Sequence, residues 1–200
     1  MNLIADFDGT LIRNNLGLAL MRALSTNSST TQYILNASHD EQTFENHIND
    51  AWKLIKTDSY ALLLAIQTLC KHWSDAEDIR RFFATLNRHT ITVVSNGILP
   101  YLKPCLPLNT DIICTPAYQH PAGGFLTFAD FRLKEKVVTS FCPAIYLGDS
   151  SDTDLAPALS VLKNGGTVLT PKGSSLSNLL PTVLEYVNLE DAAYQILHLT

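Results

Sequence analysis

Short apolar runs, set at intervals along a mixed chain, are the first pattern this sequence offers. Leu3-Ile4-Ala5, Ile91-Thr92-Val93-Val94, Ala144-Ile145-Tyr146-Leu147 and Thr167-Val168-Leu169 are too short for helices and mostly apolar on both faces. Such runs predict buried parallel strands. Asp111 to Thr115 predicts another short strand, and Pro121-Ala122-Gly123-Gly124 predicts a turn leading into Phe125 to Phe128 as a small hairpin. Lys134 to Phe141 has a helical pattern, a further helix is predicted from about Asp154 with Pro157 in its first turn, and a last one from Leu189.

From about Leu16 to Leu86 the pattern is helical throughout. Ser38 with Glu41, and Ser74 with Glu77, have capping-box spacing ahead of helical periodicity. Ser25 to Thr31 is a Ser/Thr/Asn-rich stretch that predicts a loop between helices. Tyr60 to Cys70 is apolar almost all round, which predicts a helix central to a bundle. Strands alternating with helices predict an α/β fold, a doubly wound parallel sheet built from residues 1–13 and 87–200, with residues 14–86 as a helical insertion.

Composition narrows the function classes. The chain of 200 residues is 46% hydrophobic and 16% charged, enough to bury one sizeable core or a core plus a small inserted domain. A net charge of −5 without a basic cluster argues against a nucleic-acid partner. The longest apolar run, Tyr60 to Ile66, is far too short to span a bilayer, and the amino terminus lacks the pattern of a secretory signal. Cys70, Cys105, Cys114 and Cys142 are scattered without a Cys-x-x-Cys pair, the usage of reduced thiols in a cytoplasmic protein.

The chemistry gathers where strands end. Asp6-Phe7-Asp8-Gly9-Thr10, Ser95-Asn96-Gly97 and Gly148-Asp149-Ser150 each follow a buried run. A parallel sheet carries all its strand ends to one edge, where ligands bind. Side chains alternate along an extended chain, so Asp6 and Asp8 point one way and Phe7 the other. Two carboxylates held together repel. A hard cation such as Mg²⁺ relieves the repulsion and lets an anionic nucleophile approach a phosphate ester. Asp6 is therefore the candidate nucleophile, and Asp8, whose pKa should rise beside other carboxylates, the candidate acid/base. Gly9 and Thr10 suit a tight turn with amides facing phosphate. Ser95 and the amides of Asn96 and Gly97 are placed to hydrogen-bond phosphoryl oxygens, with Ser95-Asn96-Gly97 read as a turn. Asp149 is a natural second carboxylate for the cation, with Asp154 as a further ligand and Asp152 as its alternative. One fixed cation is needed against so many carboxylates. Lys134 or Lys136 in Arg132-Leu133-Lys134-Glu135-Lys136 provides it.

Taken in order, Asp6-Phe7-Asp8-Gly9-Thr10, Val94-Ser95-Asn96-Gly97, Lys134 and Gly148-Asp149-Ser150-Ser151-Asp152-Thr153-Asp154 resemble the four motifs of the haloacid dehalogenase-like hydrolase superfamily. The resemblance spans nearly the whole chain. It implies a Rossmann-like core, phosphorylation of Asp6, acid/base work by Asp8, and Mg²⁺ held by Asp6, the Asp8 backbone carbonyl and Asp149. A second aspartate in the first motif belongs to the superfamily's phosphatases and phosphotransferases rather than its dehalogenases. The insertion at 14–86 resembles the superfamily's first type of helical cap. Val94 to Pro104 looks like the subgroup that holds phosphoserine phosphatase and the methionine-salvage phosphatase. In the fourth motif four residues separate Asp149 from Asp154, one more than in close relatives, which keeps Asp152 open. The expected activity is Mg²⁺-dependent hydrolysis of a small phosphorylated metabolite through an aspartyl phosphate. The alternatives are a phosphotransferase or mutase of the same fold, or a catalytically silent binding module. The sequence leaves the cap residues that read the substrate open among Glu41, Glu45, Arg80 and Arg81.

Overall fold

Six strands form one parallel sheet in a computed structural model of the chain, which describes residues 2–25, 41–55, 57–72 and 75–200. In chain order these are β1 (Asn2–Ala5), β2 (Ile91–Ile98), β3 (Asp111–Thr115), β6 (Ala144–Leu147), β7 (Thr167–Pro171) and β8 (Leu184–Tyr186). A two-stranded antiparallel hairpin, β4 (Ala117–Gln119) with β5 (Phe125–Thr127), stands apart from them. The sheet runs β3-β2-β1-β6-β7-β8. The chain thus adds strands to one side of β1, then returns to add strands on the other. Between β1 and its two neighbours the connections leave for opposite sides, which opens a crevice at the carboxyl ends of the strands.

Alternation along the strands builds two apolar layers, one on each face. Leu3, Ala5, Val93, Ile145 and Leu147 point into one buried cluster. Ile4, Val94, Ala144 and Tyr146 point into the other. The second face is covered by α6 (Leu133–Phe141), α7 (Leu155–Lys163) and α8 (Ser175–Leu179), through Val138, Ala158, Val161 and Leu176. The first is covered by α9 (Leu189–Leu199) and α4 (Asp75–Thr85), through Ala192, Ile196, Ile79 and Phe82. Pro157 occupies the first turn of α7, where a missing N–H costs nothing.

The other helices follow β1 directly: α1 (Leu16–Leu24), α2 (Glu41–Leu54) and α3 (Ser59–His72), with a single turn, α5 (Leu99–Leu102), after β2. The helix predicted at the centre of a bundle is not central. In α3 only one stripe packs, around Leu62 and Ile66, while Tyr60 is 76% exposed and Leu64 53%. An apolar sequence all round a helix permits full burial but does not supply the neighbours for it, and singly exposed apolar side chains are common. Among the described residues no helix is long and apolar enough to cross a membrane. Ser38, Ser74 and nearly all of the Ser25–Thr31 loop lie outside the described residues, as does the Cys70 side chain.

Two short elements carry no strong sequence signal, β8 and α8. Each pairs with or packs on β7, whose partners are set by the sheet rather than by local pattern.

Candidate active site

β1 ends at Ala5, and the backbone of Asp6 continues its pairing by donating to the Leu147 carbonyl (2.9 Å). Beyond it Phe7 is fully buried in the apolar core, while Asp6 and Asp8 both face a cavity of about 420 Å³. The neighbours of β1 in the sheet are β2 and β6, so Ser95 and Asp149 reach the same cavity. The chain after α6 begins contributes Lys134, and all of Asp6, Asp8, Ser95, Asn96, Lys134, Asp149 and Asp152 line one space.

The centre is a buried ion cluster. Lys134 is 3% exposed and bridges Asp6 Oδ1 (2.9 Å) and Asp154 Oδ1 (2.7 Å), with the Thr153 hydroxyl as a third acceptor (3.2 Å). Val138, one helical turn on, is buried in the core, so α6 turns Lys134 inward. Lys136 lies on the outer side, exposed and paired with Asp130. Asp154 is fully buried. Its Oδ1 also accepts from the Tyr146 hydroxyl (2.6 Å), and its Oδ2 accepts from the backbone N–H of Asp149 (3.0 Å) and Ser150 (2.9 Å). Asp154 therefore stands at the N-cap position of α7 without capping it; its carboxylate reaches back to order the Asp149 loop instead. Asp152 is exposed.

Asp8 is held by three donors. Its Oδ1 accepts from the amides of Leu16 (2.6 Å) and Gly17 (3.2 Å) at the start of α1, and its Oδ2 from the Tyr101 hydroxyl (2.7 Å). Thr10 donates its hydroxyl to Asp149 Oδ1 (3.2 Å).

Two local expectations change. Ser95-Asn96-Gly97 is not a turn: β2 runs on to Ile98, with a shift of register against β3 between Ser95 and Ile98. A bulge re-aims side chains without ending a strand. The Gly97 amide donates to Ser95 Oγ (3.0 Å) and the Thr10 amide to the Phe7 carbonyl (3.4 Å), so both are spent inside the protein rather than aimed at a ligand. The Asn96 side-chain amide, by contrast, is buried with neither its oxygen nor its nitrogen partnered. A buried amide in that state is costly unless a ligand completes it.

Electrostatics favour a cation here. Oxygens of Asp6, Asp149 and Asp154 lie within 4.8 Å of one another. Burial raises the Asp6 carboxyl well above its usual range against the pull of Lys134, and the charges of Asp154 and Asp149 raise it further. Asp149 is pushed up to about 6 by burial and then by Asp154. Burial raises Asp8 as well, against its hydrogen bonds from Tyr101 and the α1 amides. Burial works against the Lys134 charge, but Asp154 and Asp6 together outweigh it and keep the ammonium above its ordinary range. One ammonium set against four carboxylates leaves a surplus of negative charge, and all-oxygen donors suit a hard divalent ion.

Sequence reasoning passed over several contributors. Tyr146 carried a signal, because a phenol in a fully buried strand needs a partner for its hydroxyl. Tyr101 and the α2 side chains Phe44, His47, Ile48 and Trp52, which line the far wall with Leu18 and Met21, carried none that is local. Of the four charged residues named from the insertion, Glu45 accepts from the Phe131 amide (2.9 Å), and Arg80 and Arg81 pair with Glu77 at the surface. None of these three lines the cavity. The Glu41 side chain lies outside the described residues.

No protein-family model and no curated protein matches this chain. Solved structures do match its fold. A phosphoserine phosphatase captured as a phospho-aspartyl intermediate analogue aligns over 96% of this chain and 97% of its own, with a TM-score of 0.66 and 17% identity. Phosphoserine phosphatase from T. onnurineus aligns over 98% and 94%, with a TM-score of 0.65 and 15% identity. Cytosolic 5′-nucleotidase IIIB bound to cytidine aligns over 100% and 88%, with a TM-score of 0.60 and 15% identity. The chain has the α/β fold that these proteins share.

Proposed function

We propose, from that shared fold and the geometry of the cavity, that this chain is a Mg²⁺-dependent phosphatase that hydrolyses a small phosphomonoester through an aspartyl phosphate on Asp6. The observation that carries the reading is the meeting of Asp6, Asp8, Ser95, Lys134 and Asp149 from separate elements in one cavity. Asp6 and Asp149, with the Asp8 carbonyl, are the proposed metal ligands. Asp154, its oxygens already committed to four donors, sets their geometry from behind. Bound there, Mg²⁺ would offset the mutual repulsion of nucleophile and phosphate.

In the first half-reaction an Asp6 oxygen bonds to phosphorus as the bond to the leaving oxygen breaks, and Asp8 passes its proton to that oxygen. Burial raises Asp8 above the usual carboxylate range, the direction that suits a proton donor. Ser95, the unpartnered Asn96 amide and Lys134 hold the three equatorial oxygens. In the second half-reaction Asp8 takes a proton from water. The water oxygen bonds to phosphorus, and phosphate and the Asp6 carboxylate are released. Residues 14–86 are the proposed cap, with α1 and α2 roofing the cavity so that the reaction proceeds away from bulk water. The α4 helix at the end of that segment packs on α9 and serves the sheet layer.

The test is product analysis with a panel of phosphate esters. Free phosphate should appear in equal amount to the alcohol, chelation of Mg²⁺ should stop it, and intact-protein mass spectrometry of an acid quench should find one phosphoryl group on the wild type and none on Asp6→Asn. Turnover that survives Asp6→Asn, or phosphoryl transfer to an acceptor without free phosphate, defeats the reading.

A further inference from the structure

The cavity has two unlike ends. Around Asp6, Asp8, Ser95 and Lys134 it is polar and charged. At the other end Leu18 and Met21 of α1, Phe44, Ile48 and Trp52 of α2, and Phe131 from the loop before α6 form an apolar wall. Phe44 meets Phe131 edge-on (5.4 Å, 73°), and Trp52 lies stacked on Tyr101 (5.8 Å, 22°). Among the described residues His47, itself engaged with a neighbour, is the one titratable side chain that α1 and α2 add to the lining. The sequence holds neither lysine nor arginine from Ala23 to Trp52, so the undescribed part of that stretch adds no such cation.

If phosphorus sits at the polar end, the leaving alcohol lies against the apolar wall. Among the described residues of that wall, an ammonium or carboxylate would lose water without gaining a counter-charge, whereas an alkyl or aryl group would gain from leaving water. We infer that the substrate is a phosphomonoester of an uncharged, apolar alcohol, aliphatic or aromatic, and that phosphorylated amino acids are poor substrates. The inference rests on the phosphatase reading above, and it names the specificity of the same site: Phe44, Ile48 and Phe131 select the alcohol.

Two measurements on the full chain with Mg²⁺ test it. The first compares kcat/KM for ethyl, butyl, hexyl and phenyl phosphate with that for O-phosphoserine. A rise of about threefold per added methylene is expected, with hexyl and phenyl phosphate about a hundredfold ahead of O-phosphoserine. The second follows binding of ethyl- to hexylphosphonate, which cannot be hydrolysed, by calorimetry, and should show the same dependence on chain length. Ile48→Lys should flatten both series and narrow the gap to O-phosphoserine. Hydrolysis with a flat alkyl series, or with O-phosphoserine ahead of butyl phosphate, overturns the inference and spares the phosphatase reading. Length-dependent phosphonate binding without hydrolysis of any ester defeats the phosphatase reading and upholds the apolar specificity. Neither hydrolysis nor length-dependent binding overturns both.

Discussion

Gly9 and Asp149 share a space that admits no further heavy atom. A Cβ built on Gly9 would lie 2.2 Å from Asp149 Oδ2, and its φ of +80° is one that a side chain makes unfavourable. Gly9→Ala should therefore cost about 2 kcal/mol of stability in urea denaturation, since backbone strain and displacement of Asp149 add together. A loss of under about 0.5 kcal/mol would mean that the loop relaxes freely. Gly97 plays the matching part for Tyr101, whose hydroxyl would lie 1.9 Å from a Cβ there. That close approach is what lets the phenol reach Asp8. Tyr101→Phe removes one hydrogen bond to the Asp8 carboxyl, worth about 0.5–1.5 kcal/mol. Steady-state kinetics should show kcat down about tenfold or more with KM within about threefold if the phenol acts by orienting Asp8, the proposed acid/base. An unchanged kcat would remove Tyr101 from the chemistry.

At the scale of elements, α2 decides the shape of the far wall, and its position is fixed by contacts distant in sequence. Asn49 accepts from the Thr127 hydroxyl (2.8 Å) and the Ala129 amide (3.0 Å), and Glu45 from the Phe131 amide. Trp52, 1% exposed, fits between Tyr101 and an edge-on Phe125 (6.0 Å). Trp52→Ala should cost about 3 kcal/mol, the usual penalty for emptying an aromatic site. Hydrogen exchange should then speed up in α2 and the β4–β5 hairpin while β1 and β6 stay protected. Uniform acceleration across the sheet would show that α2 is part of one cooperative unit with the core. The bulge in β2 works at the same scale, since it shifts the register at Asn96 and Gly97, beside the cavity, without breaking the pairing with β3.

For the molecule as a whole, the site is a stability cost that a cation would relieve. Burial lifts Asp149 to about 6 and raises Asp6 and Asp8 as well, so between their unfolded and folded values the folded chain binds more protons than the unfolded one. The sign follows: this contribution is fully present below the unfolded value near 3.8 and is lost as pH rises through about 6. In a chelator, Tm should fall between about pH 4.5 and about pH 7. Excess Mg²⁺ should raise Tm at neutral pH and do so less near pH 5, where protons compete for the same oxygens. Scanning calorimetry at both pH values reads this directly; a Tm indifferent to Mg²⁺ at neutral pH would take the metal away from these carboxylates.

The sequence by itself determined five of the six strands of the sheet and the polar end of the cavity. Buried strands need apolar residues on both faces, so they stand out locally, and Asp6, Asp8, Ser95 and Asp149 lie within three residues of a strand's last residue. What only the tertiary structure decided is orientation on helices and contact across them. Lys134 and Lys136 are two residues apart on α6, and it is the packing of Val138 against the sheet that turns one inward and leaves the other to Asp130. Asp154 and Asp152 separate in the same way, through the reach of Tyr146 and of two backbone amides. Trp52 meets Tyr101, and Phe44 meets Phe131, across gaps of more than 40 residues, a distance at which local periodicity carries no information about contact.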